Sequence, residues 1–171
     1  MSALVLGHMN PDTDSIMAAI AVADLYKKRG LDVKAAAQGK PTPESEFVLQ
    51  KFGLTAPEVV DDVAGQDIYL VDFSDLAQAP KGIDQANVLG IADHHKLGDI
   101  TTSSPLLCWI WPVGCSCTVI KNMYDFYGLL PSPAACSAPS SPTPLSSSPS
   151  PAPRKTRRPW PISPRLPVLT M

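Results

Sequence analysis

One short segment near the N-terminus, residues 7–15 (GHMNPDTDS), constrains the fold more than any other part of the chain. It follows an apolar run, residues 3–6, of the length expected for a buried strand. It leads into residues 15–26, which are rich in good helix formers. A turn from strand to helix is where an open α/β sheet binds its ligands, and this turn carries one imidazole and two carboxylates.

These side chains also have a simpler interpretation as an ordinary helix start. Asp12 or Asp14 alone can cap the helix, and Asn10-Pro11 is a common turn pair. Capping needs only one carboxylate, however, and it does not explain His8. The turn therefore carries more metal-type side chains than a helix start requires.

Two further apolar runs end on side chains of the same kind. Residues 68–71 are followed by Asp72, and residues 88–92 are followed by the triplet Asp-His-His at 93–95. Parallel strands bring their carboxyl ends to the same edge of a sheet. The three strand ends are therefore expected to form one cluster of metal-type ligands.

The apolar pattern predicts an α/β fold, because unbroken apolar runs of about five residues suit a parallel sheet that is covered on both faces. The predicted strands are residues 3–6, 32–36, 68–72 and 88–92, with a short connector or edge strand at 59–62, and the predicted helices are 15–26, 43–52 and 116–127. We predict an open, mostly parallel sheet flanked by helices over residues 1–128.

The second helix has the clearest boundaries in the sequence. Thr42 is its predicted cap, Pro43 its first residue, and Gly53 its end. Gly30 and Gly128 are predicted to end the first and third helices in the same way. The predicted apolar face of the second helix consists of Phe47, Val48, Phe52 and Leu54.

The chain changes character after residue 128. Residues 1–128 hold all sixteen acidic residues and nine basic ones, a formal charge of −7, whereas residues 129–171 hold five basic residues and no acidic ones. Twelve of those last 43 residues are Pro and nine are Ser. Because neither helix nor sheet tolerates proline at that density, we predict a disordered Pro/Ser-rich tail over residues 129–171.

The sequence shows no signal for export or for a membrane span. The N-terminus lacks the basic region of a signal peptide, and the apolar stretch 105–120 is too short to cross a bilayer. The four cysteines match no zinc-site spacing, and a chain without a signal keeps them reduced. We expect a soluble cytoplasmic protein that binds neither nucleic acid nor membranes.

The ligand types at the three strand ends predict metal chemistry. Imidazole and carboxylate groups without a thiolate suit six-coordinate Mn²⁺, Co²⁺ or Mg²⁺ better than tetrahedral structural Zn²⁺. Several carboxylates among five ligands exceed the needs of one ion. Two cations about 3.5–4 Å apart, bridged by a carboxylate, are the usual arrangement for hydrolysis of phosphate esters and anhydrides. The cluster therefore predicts a two-metal hydrolase.

The segment 8–15 (HMNPDTDS), together with Asp-His-His at 93–95, resembles the DHH phosphoesterase superfamily, and specifically its manganese-dependent (family II) inorganic pyrophosphatases. The Asn-Pro-Asp-Thr-Asp-Ser form is specific to that branch, since nucleases of the superfamily usually carry a Gly-containing version. Residues 111–118 (WPVGCSCT) also resemble the family's segment before its next helix. The resemblance covers residues 1–128 and implies an enzyme that hydrolyses pyrophosphate to two phosphates.

The resemblance implies a set of metal ligands for two Mn²⁺ ions. His8 and Asp12 bind the first ion, and Asp14 and His94 bind the second. Asp72 bridges both ions. Co²⁺ and Mg²⁺ are alternative occupants.

It also implies roles beyond the ligands. His95 contacts the phosphate, so His95 and Asp72 are the expected catalytic residues. Asp93 orients the histidine pair as a hydrogen-bond acceptor. Because the family generally pairs through this domain, a homodimer is expected.

The chain departs from the family pattern in two places. The third motif usually reads Val-Asp-His-Asn-Glu, whereas residues 71–75 read Val-Asp-Phe-Ser-Asp, so the ligand is kept and Phe73 replaces the histidine. Family members also continue past Gly128 to another metal-binding Asp, and then to a second domain whose Ser-Arg-Lys-Lys-Gln motif grips pyrophosphate. Neither appears here, so impaired activity is expected.

A change of reading frame is one explanation for the missing region. With suitable synonymous codons, residues 135–149 shifted by one frame read Met-Leu-Cys-Ala-Ile-Leu-Ser-Asp-Thr-Pro-Val-Phe-Lys-Ser. That sequence contains the Ser-Asp-Thr and Phe-Lys-Ser pattern that the family shows around its missing ligand. The hypothesis is that residues 129–171 are family coding sequence read out of frame.

Two other functions stay open from the sequence. One is a phosphodiesterase of the same superfamily that acts on short oligonucleotides or cyclic dinucleotides. The other is a non-catalytic metal-binding fragment with a Pro-rich adaptor tail that binds SH3-like domains. The form of the first motif favours the pyrophosphatase.

Overall fold

The structure is a computed structural model that describes residues 2–132, so most of the predicted tail lies outside the described residues. The described elements are β1 (Ala3–Leu6), α1 (Thr13–Lys28), β2 (Val33–Ala37), α2 (Pro43–Lys51), β3 (Glu58–Val59), β4 (Asp67–Val71), β5 (Asn87–Asp93), β6 (Leu107–Ile110) and α3 (Ser116–Tyr127). Two short 3₁₀ helices, Leu76–Gln78 and Ile83–Gln85, lie between β4 and β5.

The strands form one sheet in the order β3-β2-β1-β4-β5-β6, and every adjacent pair is parallel. The strand order changes direction between β1 and β4. In an open α/β sheet, ligands bind outside the carboxyl ends of the strands at such a switch point. The predicted open parallel α/β fold is confirmed, and its switch point coincides with the predicted ligand cluster.

The helix boundaries follow from the local chemistry that the sequence predicts. Asp12 caps α1 by accepting a hydrogen bond from the backbone nitrogen of Ser15 at 3.0 Å. Thr42 caps α2 in the same way. Gly128 ends α3 with a φ of 64°, the left-handed conformation that glycine adopts without a steric penalty.

The core is divided between the two faces of the sheet. Val5 and Val71 face α1 and α3, whose buried residues include Val22 and Ile120. Leu6, on the opposite face, packs with the second cluster instead. This second cluster is completed by residues from the loops and 3₁₀ helices: Val60, Val63, Ala79, Ile83 and Ile100. The buried apolar area on both faces explains the unbroken apolar strands.

Two details of the fold differ from the sequence-based expectation. The edge strand β6 was not predicted: its four residues lie in the apolar stretch 105–120, to which no strand was assigned, and its side chains are partly or fully exposed at the edge of the sheet. In α2, Leu49 is buried and the predicted Val48 and Leu54 pack against the core, whereas the predicted Phe47 and Phe52 are 63% and 37% exposed, so the predicted apolar face was only half right. Thr13 of α1 and Ser45 of α2 share a hydrogen bond of 3.1 Å, and Ser45 and Leu49 are the buried residues of α2.

The residues that follow α3 remain in contact with the domain. Leu129 packs against the core. Ser132 bonds to both carboxylate oxygens of Asp24, with Oγ at 2.6 Å and its backbone nitrogen at 3.2 Å. Burial opposes ionisation of Asp24, but the hydrogen bonds from Ser132, Tyr124 and Lys28 prevail and lower its pKa to about 2. The predicted boundary at residue 128 stays a prediction, and domain contacts reach Ser132.

None of the helices in the part of the chain that the structure describes is long and apolar enough to cross a membrane.

Candidate metal centre

The three predicted strand ends meet at the carboxyl edge of the sheet. They line an open cleft of about 400 Å³. The cleft contains all six side chains predicted to bind metal or contact phosphate: His8, Asp12, Asp14, Asp72, His94 and His95. His8 follows β1, Asp72 follows β4, and the two other histidines follow β5.

Asp72 occupies the centre of this cluster. Its side chain is 2% exposed, and its φ of 66° is unusual for a residue other than glycine. Oδ2 lies 3.4 Å from Nε2 of His8, and Oδ1 lies 3.4 Å from Nε2 of His94. Each carboxylate oxygen therefore faces a different histidine.

The donor atoms fall into two groups that share Asp72. In the first group, atoms of His8, Asp12 and Asp72 lie within 4.8 Å of one another, and in the second, those of Asp72, His94 and His95 do. Asp14 belongs to neither group, although its Oδ2 is 3.8 Å from Nε2 of His94. Two adjacent sets of nitrogen and oxygen donors fit a pair of divalent cations such as Mn²⁺.

All three histidines are anchored through Nδ1. His8 Nδ1 lies 2.8 Å from the carbonyl oxygen of Met9, and His94 Nδ1 lies 3.0 Å from that of Val113. His95 Nδ1 lies 2.8 Å from Oδ1 of Asp93. A carbonyl oxygen can only accept, so Nδ1 carries the proton in His8 and His94, and Nε2 is the atom available for a metal.

The altered third motif is accommodated by the structure. Phe73 is buried in the core face opposite the helices. Ser74 donates its hydroxyl to Oδ2 of Asp93 at 3.2 Å and accepts a bond from the backbone nitrogen of Gly98 at 2.9 Å. Ser74 therefore supports Asp93, which in turn contacts His95.

The N-terminus of α3 holds two of the carboxylates. Asp14 accepts hydrogen bonds from the backbone nitrogens of Ser116 at 2.7 Å and Cys117 at 3.2 Å. The hydroxyl of Ser116 donates to Oδ1 of Asp72 at 2.8 Å. The sequence shows that residues 111–118 precede a helix, but it gives no signal that this helix start would reach Asp14 and Asp72.

The electrostatics of the cleft favour a cation. The close carboxylates of Asp12 and Asp72 raise the pKa of His8 to about 10, and His8 lowers that of Asp12 to about 2. Burial, and then the charge of Asp72, raise the pKa of Asp14. Metal binding requires neutral imidazole and ionised carboxylate, so a cation entering the cleft displaces protons.

Five further residues line the cleft: Thr13, Gly114 and Cys115 belong to the two motifs noted in the sequence, whereas sequence reasoning missed Glu44 and Gln78. Glu44 lies in the first turn of α2. Its acidic side chain is the one feature in the sequence that is typical of a residue near a cation. Among the described residues that line the cleft there is no lysine or arginine. Within the described residues, the cleft therefore offers no lysine or arginine to hold an anionic substrate.

Sequence comparison identifies the family. The family model described as "DHH family, N-terminal domain" matches residues 2–138. The probable manganese-dependent inorganic pyrophosphatase of Archaeoglobus fulgidus is 44% identical over 137 residues, covering 73% of this chain and 42% of the relative. The manganese-dependent inorganic pyrophosphatase of Methanocaldococcus jannaschii is 43% identical over 120 residues, covering 70% of this chain and 37% of the relative. The chain thus spans about two fifths of the length of these relatives.

Solved structures agree with this assignment. A Methanococcus jannaschii crystal structure assigned to the family II inorganic pyrophosphatases has a TM-score of 0.67 at 40% identity, covering 75% of this chain and 40% of the other. An exopolyphosphatase-related protein from Bacteroides fragilis, 12% identical with a TM-score of 0.59 over 74% of this chain and 40% of the other, shares the fold. On the motifs, the fold and these matches, the chain belongs to the DHH family, and it carries that family's N-terminal domain.

Proposed function

We propose that this chain supplies the metal-binding half of a manganese-dependent inorganic pyrophosphatase. One observation carries the proposal: the buried Asp72 presents one carboxylate oxygen to each of two adjacent donor groups. A carboxylate with this placement suits the bridging position in a two-metal hydrolytic site. The names of the relatives support pyrophosphate as the substrate and Mn²⁺ as the metal.

Each donor has a role in this proposal. His8 and Asp12 bind one ion, Asp14 and His94 bind the other, and Asp72 binds both. The position of Asp14 supports its role, because Oδ2 lies 3.8 Å from Nε2 of His94. Two Mn²⁺ ions, when bound, supply Lewis-acid activation of water and neutralise phosphoryl charge. Co²⁺ and Mg²⁺ suit the same nitrogen and oxygen donors.

His95 is the proposed contact to the phosphate. Its side chain is half exposed in the cleft, and the bond from Nδ1 to Asp93 fixes the ring. That arrangement leaves Nε2 as the second ring nitrogen in the cleft, and in the imidazolium form of the ring it can donate a hydrogen bond to an oxygen of pyrophosphate. Asp93, which is fully buried, orients the ring and does not touch the substrate itself.

The proposal also includes a homodimer and a cytoplasmic location. The outer edge of β6 has no neighbouring strand within residues 2–132, and Leu107 beside it is 40% exposed. Unpaired strand edges are templates for pairing with another chain, which supports a homodimer through this domain.

The three described cysteines are free, which supports a reducing, cytoplasmic location.

The tail beyond the described residues is proposed to be family coding sequence in the wrong frame. The nucleotide sequence tests this directly: a second frame downstream of codon 128 should encode Asp in a Ser-Asp-Thr context. If no frame encodes it, this account of residues 129–171 is wrong.

The substrate is tested by restoring that frame. The frame-restored enzyme should release phosphate from pyrophosphate in the presence of Mn²⁺, and its Asp72→Ala variant should not. Release of mononucleotides from a short RNA, or opening of a cyclic dinucleotide, in place of pyrophosphate cleavage would instead identify a phosphodiesterase. Binding of an SH3-like domain to the 171-residue chain, with no hydrolysis in either form, would identify an adaptor.

A further inference from the structure

The start of α3 is tied to the metal centre by an unusual set of hydrogen bonds. Cys115 is the N-cap residue of α3, yet its side chain makes no capping bond. The first two backbone nitrogens of the helix donate instead to Asp14, which lies more than a hundred positions earlier on α1. A carboxylate from another helix therefore takes the position that a capping side chain normally fills.

The hydroxyl group of Ser116 makes a separate contact with the metal centre. Ser116 is the first residue of α3 and is fully buried. Its Oγ lies 2.8 Å from Oδ1 of Asp72 and donates to it. One residue thus contacts both carboxylates, Asp14 through its backbone and Asp72 through its side chain.

This contact selects between the two oxygens of Asp72. Oδ1 is the oxygen that faces His94, and Oδ2 is the one that faces His8. A carboxylate can rotate about its Cβ–Cγ bond, and a rotation would take its oxygens out of line with the two donor groups. A single hydroxyl that donates to Oδ1 opposes this rotation.

We propose that Ser116 is a positioning residue that sets the orientation of Asp72 and ties Asp14 to the same point, so that the two donor groups share one bridging carboxylate. The proposal rests on the proposed two-metal function. Hydrogen-bond partners that orient metal ligands typically change metal affinity about 10–100-fold when they are removed. We expect loss of the Ser116 hydroxyl to weaken metal affinity by this factor.

The test removes the hydroxyl in the full chain and titrates Mn²⁺ alone. Ser116→Ala deletes it, Ser116→Thr retains it, and Ser116→Val matches the shape of threonine without it. Thr118→Ala is the matched control, because its hydroxyl lies in the same helical turn but bonds with Cys115. Calorimetry gives the affinity and stoichiometry, and electron paramagnetic resonance reports magnetic coupling between the two ions.

The expected result follows the hydroxyl. Wild type, Ser116→Thr and Thr118→Ala should bind two Mn²⁺ ions with a coupled spectrum. Ser116→Ala and Ser116→Val should bind the more weakly held ion about 10–100-fold less tightly and lose the coupled spectrum. Affinity is measured on folded protein only. If either Ser116→Ala or Ser116→Val fails to fold, the other hydroxyl-free variant still gives the result.

Other results overturn the proposal. A purely structural role would lower the melting temperature of metal-free Ser116→Ala while its Mn²⁺ affinities and coupled spectrum stayed unchanged. Equal weakening in Ser116→Thr and Ser116→Val would mean that shape, and not the hydroxyl, matters. Failure of the frame-restored enzyme to cleave pyrophosphate contradicts the proposed function but leaves these binding data valid.

Discussion

Nδ1 of His95 lies 2.8 Å from Oδ1 of Asp93, and that oxygen also accepts the backbone N–H groups of His94 at 2.7 Å and His95 at 3.1 Å. Because Oδ1 is an acceptor for two N–H groups, the imidazole must be the donor in the third bond. The proton on Nδ1 and the ring orientation of His95 are thereby fixed by one buried carboxylate.

Removing that carboxylate should destabilise the domain. Asp93→Ala leaves the three nitrogen donors without their acceptor and leaves the Ser74 hydroxyl only its longer bond to the carbonyl oxygen of Lys96, which should cost on the order of 3 kcal/mol. Asp93→Asn keeps an acceptor oxygen and should cost less. Denaturant unfolding measures both, and an alanine variant within about 1 kcal/mol of wild type would show that the bonds are replaced by water.

Asp72 should matter more for metal binding than any other single ligand. A bridging residue serves both ions, so Asp72→Ala should reduce both the affinity and the stoichiometry of Mn²⁺ binding. Asp125→Ala, on the exposed side of α3, removes the same charge far from the cleft and is the control. Calorimetry that gives the same stoichiometry and affinity for Asp72→Ala would remove Asp72 from the site.

The sequence predicted the part of this site that depends on local order. Apolar runs ending on Asp72 and on the triplet at 93–95 locate the ligands, because parallel strands bring their ends to one edge. The link between Ser116 and Asp14 spans 102 positions, and no local spacing encodes it. The single face predicted for α2 missed the buried Leu49, which lies on the same side as the hydrogen bond between Thr13 and Ser45, and that contact joins residues 32 positions apart.

Gly7 should not tolerate a side chain. A Cβ atom at this position would lie 1.8 Å from Oγ and 3.1 Å from the backbone oxygen of Ser15. Gly7→Ala should therefore destabilise the domain by about 1–3 kcal/mol through overpacking.

A double-mutant cycle separates the two contacts of Gly7. Ser15→Ala removes the nearest atom, and it should be nearly neutral by itself, because Ser15 Oγ is buried without a hydrogen-bond partner among the described residues. Ser15→Ala should restore part of the stability of Gly7→Ala. Gly114→Ala, where a Cβ meets nothing within 4 Å, is the control. Thermal melts that are equal for the Gly7 and Gly114 variants would contradict the steric argument.

Asp24 should make stability depend on pH in the acid range. Its pKa is lowered from 3.8 to about 2, so the folded state favours the ionised carboxylate. This contribution, on the order of 2 kcal/mol, is present above pH 4 and is lost as pH falls toward 2. Asp24→Asn should be less stable than wild type at pH 6, and the difference should shrink by pH 2.5. Asp84→Asn, at an exposed position, controls for the charge change. A difference that stays constant with pH would mean that Asp24 acts through packing.

The 171-residue chain, assayed by itself, should hydrolyse pyrophosphate at a rate near background. The described part of the cleft is lined by carboxylates and has no lysine or arginine to hold a highly charged anion. The chain also spans only about two fifths of the relatives that carry the pyrophosphatase name. Losing one electrostatic stabiliser of a transition state commonly costs on the order of 3–4 kcal/mol, or two to three decades in rate. A phosphate-release assay with Mn²⁺ and saturating pyrophosphate measures this, with Asp72→Ala as the reference for zero activity. Wild-type turnover within tenfold of about 10 per second, a typical enzyme value, would show that this domain suffices for catalysis without a lysine or arginine in the described part of the cleft.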